Sequence, residues 1–156
     1  MITIEPTKDF QILAELNAEV QDWHHRHYPD VFKKFDANKV VPFFEEQLKD
    51  NGTHAYLALK DNQICGYILC FERERKENPF QYSEKFLLID QICVLAKFRR
   101  LGIARSLLQT AEKLAINSGC QSMQLNHWTA NDVASSLFKN FGFLPFNLQL
   151  KKHLND

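Results

Sequence analysis

Three arginines and a glycine crowd the segment Arg99-Arg100-Leu101-Gly102-Ile103-Ala104-Arg105, and their spacing suits the binding of an anion. Residues 92–95 just before it read as the end of a buried strand. From Ala104 onward, Leu107, Leu108, Ala111, Leu114 and Ala115 recur at one-face helical spacing, and Ser118-Gly119 ends the run. A helix starting here leaves about four backbone N–H groups without intrahelical partners and carries partial positive charge. Gly102 and Ala104 place almost no bulk over those groups, and Arg99, Arg100 and Arg105 add mobile positive charge. The ligand suited to such a turn bears phosphate. Two phosphate loops are excluded by spacing. There is no G-x-x-x-x-G-K-[ST], and of the three glycines in the dinucleotide fingerprint only Gly102 is present.

Asp90 is the only charged residue in the apolar run 86–94. Uniform strand alternation places it on the face of Ile92 and Val94. A carboxylate in such a run must be paired or useful, and a hydrogen bond to a neighbouring strand or loop accounts for it as well as chemistry does. Glu72 and Glu74 follow the strand-like run 64–71, inside Glu72-Arg73-Glu74-Arg75-Lys76-Glu77, which reads as a solvated loop. His24, His25 and His27 sit at a helix end without acidic or cysteine partners and read as surface residues, so no metal is expected. Cys65, Cys70, Cys93 and Cys120 form no C-x-x-C pair and read as buried thiols of a reducing compartment.

The six residues Arg99-x-x-Gly102-x-Ala104, with Val94 five positions ahead at a strand end, resemble the acetyl-CoA pyrophosphate signature of the GNAT superfamily of N-acetyltransferases. A second block supports the resemblance. Asn131-Asp132-Val133-Ala134-Ser135-Ser136-Leu137-Phe138-Lys139-Asn140-Phe141-Gly142-Phe143 is similar to the family's Asn-x-x-Ala-x-x-x-Tyr-x-x-x-Gly-Phe, and the blocks stand in the family's order. Phe138 departs from it, at the position of the tyrosine usually assigned as the acid that protonates the departing thiolate.

The resemblance implies acetyl transfer from acetyl-CoA to a primary amine of a small molecule or an exposed protein or peptide. Backbone groups near Ile92 and Val94 would bind the pantetheine arm like an added strand. The pyrophosphate would rest on the N–H groups of Leu101, Gly102, Ile103 and Ala104, with Asn131 and Phe138 completing the donor site. A general base is needed for an amine of pKa near 10.4, which at pH 7 is neutral only to about one part in a few thousand. Asp90 is the leading candidate and Glu72 the second. The amine site would be walled by Trp23, Tyr28 and Phe32 early in the chain, by Tyr82 before the long strand and by Trp128. These aromatics suit a core as well as a pocket.

The elements needed to position these groups are legible as periodicities. A strand at 2–5 precedes a helix capped by Asp9, with Ile12, Leu13, Leu16, Val20 and Trp23 as its stripe. A second helix begins near 36–38 and runs to about Lys49, with Pro42 tolerated in its first turn. Lys60-Asp61-Asn62-Gln63 joins strands 54–59 and 64–71 in a hairpin. Strand 82–94, the helix after Gly102, strand 123–128, the helix after Asn131 and a last strand near 147–151 complete the order. This is an α+β layout. The resemblance makes it a mixed, mostly antiparallel central sheet flanked by helices and splayed between the fourth and fifth major strands.

The 156 residues, 45% hydrophobic, suffice for a single domain spanning 1–156. Nineteen basic and nineteen acidic residues cancel, which counts against nucleic acid or a membrane surface as partner, and Lys97 with the three arginines has no interleaved aromatic platform. No signal region is visible, so a cytoplasmic location is expected. The apolar segment 143–150 suits pairing with a second copy as a homodimer. Phe138 keeps a second function class open, a silent acyl-CoA-binding sensor of the same fold.

Overall fold

Asp61 and Asn62 both take positive φ (48° and 66°), the two-residue turn whose twist matches that of the strands it joins. The hairpin they close is the centre of the sheet in a computed structural model that describes residues 1–155. In chain order the elements are β1 (Ile2–Pro6), α1 (Phe10–His27), α2 (Ala37–Gln47), β2 (Thr53–Lys60), β3 (Gln63–Arg75), β4 (Glu84–Val94), α3 (Ile103–Asn117), β5 (Ser122–Leu125) and α4 (Asp132–Phe141). The strands lie in the order β1-β2-β3-β4-β5, antiparallel except for the parallel pair β4–β5. The expected mixed, mostly antiparallel α+β sheet is therefore what forms. Residues 1–126 make one compact unit and residues from His127 onward a second.

In the first unit, α1 and α2 cover one face. Leu13, Ala14, Leu16, Phe44 and Leu48 pack on Ala55, Leu57, Tyr67, Leu69, Phe71 and Cys93. The alternate residues Ala58, Ile68, Cys70, Leu87 and Ile89 are also buried, beneath Ile103, Leu107, Leu108, Ala111 and Ala115 of α3. Each such leucine contributes about 1.5–3 kcal/mol through burial. Asp9 caps α1 as expected, its Oδ1 accepting from the Ile12 N–H at 3.1 Å. Asp36 does the same for α2 through Asn38. Pro42, however, is the sixth residue of α2 rather than part of its first turn, and its ring removes the bond that Asn38 C=O would otherwise receive.

Four expectations for the strands change. The third strand runs on through 72–75, expected as a solvated loop, because these residues pair with 84–87 of β4. The fourth strand starts at Glu84 and not at Tyr82, because the Asn78 carboxamide accepts from the Phe80 and Gln81 N–H groups and folds 78–81 into a turn. The fifth ends at Leu125, since the Asn131 N–H bonds the Trp128 carbonyl and turns the chain toward α4. No strand forms near 147–151.

The short β5 has a consequence for β4. Pairing covers only Phe86 to Ile89 against Ser122 to Leu125, so 90–94 have no β5 partner on that edge among the described residues. The β3–β4 ladder also slips: Cys70 faces Ile89 and Leu69 faces Gln91, leaving Asp90 as the extra residue of a β-bulge. Beyond it, Gly66 opposite Val94 has no room for a side chain. A Cβ there would lie 2.4 Å from the Cys93 carbonyl oxygen.

In the second unit, Asn131 caps α4 by accepting from Ala134 at 3.1 Å, and Gly142 ends it at φ 112°. Phe138 is 6% exposed and meets Phe143 edge-on, with ring centroids 5.9 Å apart. Residues 143–155 carry no regular structure. Leu144, Phe146, Leu148 and Leu150 alternate along them and are 73–87% exposed.

Candidate functional site

At the end of β4 the Leu95 N–H bonds the Cys65 carbonyl at 2.9 Å. Antiparallel alternation then turns the backbone groups of Cys93 and Gln91 toward β3 as well, and those of Ile92 and Val94 toward the edge that β5 leaves open. That edge is a template for an extended ligand. The chain next makes a short 3-10 turn at Ala96–Phe98 and passes Arg100 at φ 62° and Gly102 at φ 83° before α3 begins. No side chain caps α3, and nothing lies within 4 Å of where a Gly102 Cβ would stand. The first-turn N–H groups of α3, with the partial positive charge they carry, therefore have no side-chain cap, and Gly102 beside them is exposed. Ile103 is buried and anchors the turn, while Arg100, Leu101 and Arg105 are exposed.

Arg99 is not the mobile cation expected. Its Nε donates to the Val94 carbonyl at 3.1 Å and its guanidinium pairs with Glu19 of α1 at 3.0 Å. The same Glu19 carboxylate accepts from the Ala96 N–H at 2.8 Å. Arg99 and Glu19 staple the turn to α1. Separated by 80 positions, they leave no local pattern that would pair them in the sequence.

The bulge overturns uniform alternation in β4. Residues 87 and 89 share the α3 face, yet beyond Asp90 it is 92 and 94 that do so, and Gln91 and Cys93 turn to α1. Asp90 itself is exposed and, like 91–94, has no β5 partner. Crowding by its neighbours raises its carboxyl above the ordinary carboxylate range, against a lowering hydrogen bond from Gln91 and the charge of Arg73. Behind it lies a polar cluster with no signal in the sequence. The buried Tyr67 hydroxyl donates to Gln91 Oε1 at 2.6 Å, and Asn17 Nδ2 donates to Tyr67 Oη at 3.2 Å and to Gln91 Oε1 at 3.4 Å. The Cys70 and Cys93 thiols, buried nearby, are pushed up to about 12.

The other expected residues fall in three places. Glu72 pairs with Leu87, on the order of 20 Å along the sheet from Val94. A Ser118 hydrogen bond first, then His54 at 3.6 Å and Lys85 at 4.0 Å, hold its carboxyl below the usual range. It is held in a cluster of charges, with its ladder partner Leu87 three residues before Asp90. Tyr82 is farther still, 86% exposed in the loop before β4. Trp23, Tyr28 and Phe32 do come together at the end of α1. Trp23 stacks on His27 at 4.0 Å, His24 on Phe32 at 4.5 Å, and Tyr28 tilts against Phe32 at 6.4 Å. Asn17 and Glu19 already reach β4 and the turn after it, so these later turns of α1 carry the aromatic group past that strand. Trp128, Asn131 and Phe138 belong to the second unit.

A family model described as the acetyltransferase (GNAT) family matches residues 17–143. An N-alpha-acetyltransferase of Sulfolobus acidocaldarius is 30% identical over 118 residues, covering 71% of this chain and 67% of that protein. GCN5-related N-acetyltransferase 4, chloroplastic, of Arabidopsis thaliana is 27% identical over 111 residues, 69% of this chain, and the match spans only 38% of that longer protein. Among solved structures, a tetramutant of the BH1408 protein from Bacillus halodurans superposes with a TM-score of 0.90 at 16% identity, over 99% of each chain. The aminoglycoside N-acetyltransferase AAC(6')-Iy in complex with CoA gives 0.72 at 17% identity, over 100% of this chain and 96% of that one.

Proposed function

Because this chain belongs to the GNAT family of acetyltransferases, we propose that it moves an acetyl group from acetyl-CoA to a primary amine, carried by a small molecule or exposed on a protein or peptide. One observation carries the reading: the unpaired edge of β4 runs directly into an α3 start that no side chain caps. Ile92 and Val94 would hold the pantetheine amides of the donor there, and the N–H groups from Leu101 to Ala104 its pyrophosphate. Arg100 and Arg105 border that site.

In the reaction, the amine lone pair attacks the thioester carbonyl carbon, the C–S bond breaks, and the amine proton passes to a base. Asp90 stands on the same open edge and would accept that proton, directly or through water. A lysine-like amine gives up about 4–5 kcal/mol to be neutral at pH 7, an α-amino group only about 1 kcal/mol. A carboxylate placed on this edge therefore favours an acceptor of high pKa. With Phe138 at the tyrosine position, the thiolate leaves unaided and takes its proton from solvent, which a thiol of pKa near 8.5 tolerates.

Phe138 is also the one observation favouring a second reading, a silent acyl-CoA sensor. Pairing of two copies through 143–150 goes with either reading. Calorimetry with acetyl-CoA, then thiol release with kanamycin, tyramine, spermidine and a peptide with a free N-terminus, separates them. Binding with release on at least one amine is expected. Binding without release on any of them would establish the sensor, and absence of binding would sink both.

A further inference from the structure

Tyr67 is fully buried in the layer between the sheet and α1, where a phenol without a partner would cost about 1–3 kcal/mol. It has two partners, Gln91 of β4 and Asn17 of α1. Its O–H donates to Gln91 Oε1 at 2.6 Å, and its oxygen accepts from Asn17 Nδ2 at 3.2 Å. Asn17, also buried at 7% exposure, aims a longer second bond of 3.4 Å at the same Gln91 oxygen. An amide can face its surroundings in two ways, and a network of donors selects between them. Two donors converging on Oε1 leave the Gln91 amide one choice, oxygen inward and N–H₂ outward. The outward side faces away from that cluster, beside Asp90, the adjoining residue left unpaired at the bulge, whose carboxyl Gln91 draws downward.

We infer that Asn17 and Tyr67 are positioning residues that act through Gln91, orienting its amide so that an N–H donates to the Asp90 carboxylate and aims it along the open edge of β4. This rests on the proposed role of Asp90 as base. A bulge residue has no ladder partner to hold it, so its direction must be set by side chains. A reversed amide would set an oxygen against a carboxylate and repel it. Burial holds the Tyr67 phenol far above its ordinary range, so it remains a donor at any working pH. Arg73 of β3 is the cation facing Asp90, and Tyr67 and Cys70 of the same strand are the other titratable groups there.

The test is a carbon-13 NMR titration of the Asp90 carboxyl, assigned by the loss of its signal in Asp90→Asn. Wild type is compared with Tyr67→Phe, Gln91→Met and the double variant. Losing a donor to the ionised form should move the titration to higher pH by roughly half a unit or more in each single variant. The double variant should move no further than Gln91→Met, because both changes break one chain of contacts. On the acceptor that turns over, kcat should fall about 3–30-fold with the KM for acetyl-CoA unchanged. An unmoved titration in folded Tyr67→Phe, or shifts that simply add, would overturn the inference. Should Tyr67→Phe fail to fold, Asn17→Ser takes its place, with a smaller shift in the same direction expected and an unmoved titration equally damaging. A fully active Asp90→Asn alongside the expected shifts would remove the base assignment and leave the positioning chain standing.

Discussion

Asp90 combines a ladder-free position with a carboxyl raised by crowding, and the two together decide its pH behaviour. A base works ionised, so activity should climb as pH rises through the Asp90 value, and that limb should lie above the ordinary carboxylate range. Asp90→Asn should lower turnover on a high-pKa acceptor by more than about tenfold, with acetyl-CoA affinity nearly unchanged by calorimetry. Full activity on that acceptor would mark Asp90 as structural. Glu72 obeys the opposite sign. Its folded value is depressed by Ser118, His54 and Lys85, so its contribution to stability is present above the unfolded value near 4.3 and is lost as pH falls through the folded one. Thermal melts at pH 7 and pH 3 should show Glu72→Gln losing less stability on acidification than wild type. An equal loss in both proteins would mean that the cluster contributes nothing.

Two glycines govern the elements that build the donor edge, for different reasons. At Gly66 the obstacle is contact: even alanine would drive a Cβ to 2.4 Å from the Cys93 carbonyl, so β3 and β4 must separate just where β4 approaches the turn. Gly66→Ala should destabilise the fold by about 1–3 kcal/mol, visible in urea unfolding, and a midpoint equal to wild type would mean the strands shift at no cost. At Gly102 the space is open and the obstacle is φ at 83°. Gly102→Glu should then cost only about 1–2 kcal/mol of stability while setting a negative charge over the α3 N-terminus. Calorimetry should find acetyl-CoA binding weakened at least tenfold, and unweakened binding by the folded variant would contradict the donor site. Arg99 shows why charge near a helix start is not by itself ligand charge, since Glu19 holds it to α1.

On the scale of the whole molecule, residues 143–155 form neither helix nor ladder strand. Leu144, Phe146, Leu148 and Leu150 alternate as a strand would, yet stay exposed and unpaired in a ladder among the described residues. A segment of this pattern gains both hydrogen bonds and burial when a second copy supplies the partner. Sedimentation should find a dimer that Leu148→Glu with Leu150→Glu converts to monomer. A monomeric wild type at tens of micromolar would refute the pairing. Among the described residues no helix is long and apolar enough to cross a membrane.

Local chemistry was legible in the sequence wherever neighbours in the chain are also neighbours in space. The caps at Asp9 and Asn131, the helix start near Asp36, the Asp61-Asn62 turn, the α3 stripe and the uncapped glycine start all depend on contacts a few residues apart. The same locality made the two family blocks readable. The bulge was not legible, because an extra residue in β4 is defined only against its partner β3. Nor were the Asn17–Tyr67–Gln91 cluster and the Glu19 staple, whose members stand 24 to 80 positions apart. Pattern placed Glu72 near the chemistry and alternation gave Asp90 a face, but the fold gave the first Ser118, His54 and Lys85 as partners and broke the second. Periodicity assigns each element its buried side. Register and long-range hydrogen bonds, which depend on two elements at once, decide what that side meets.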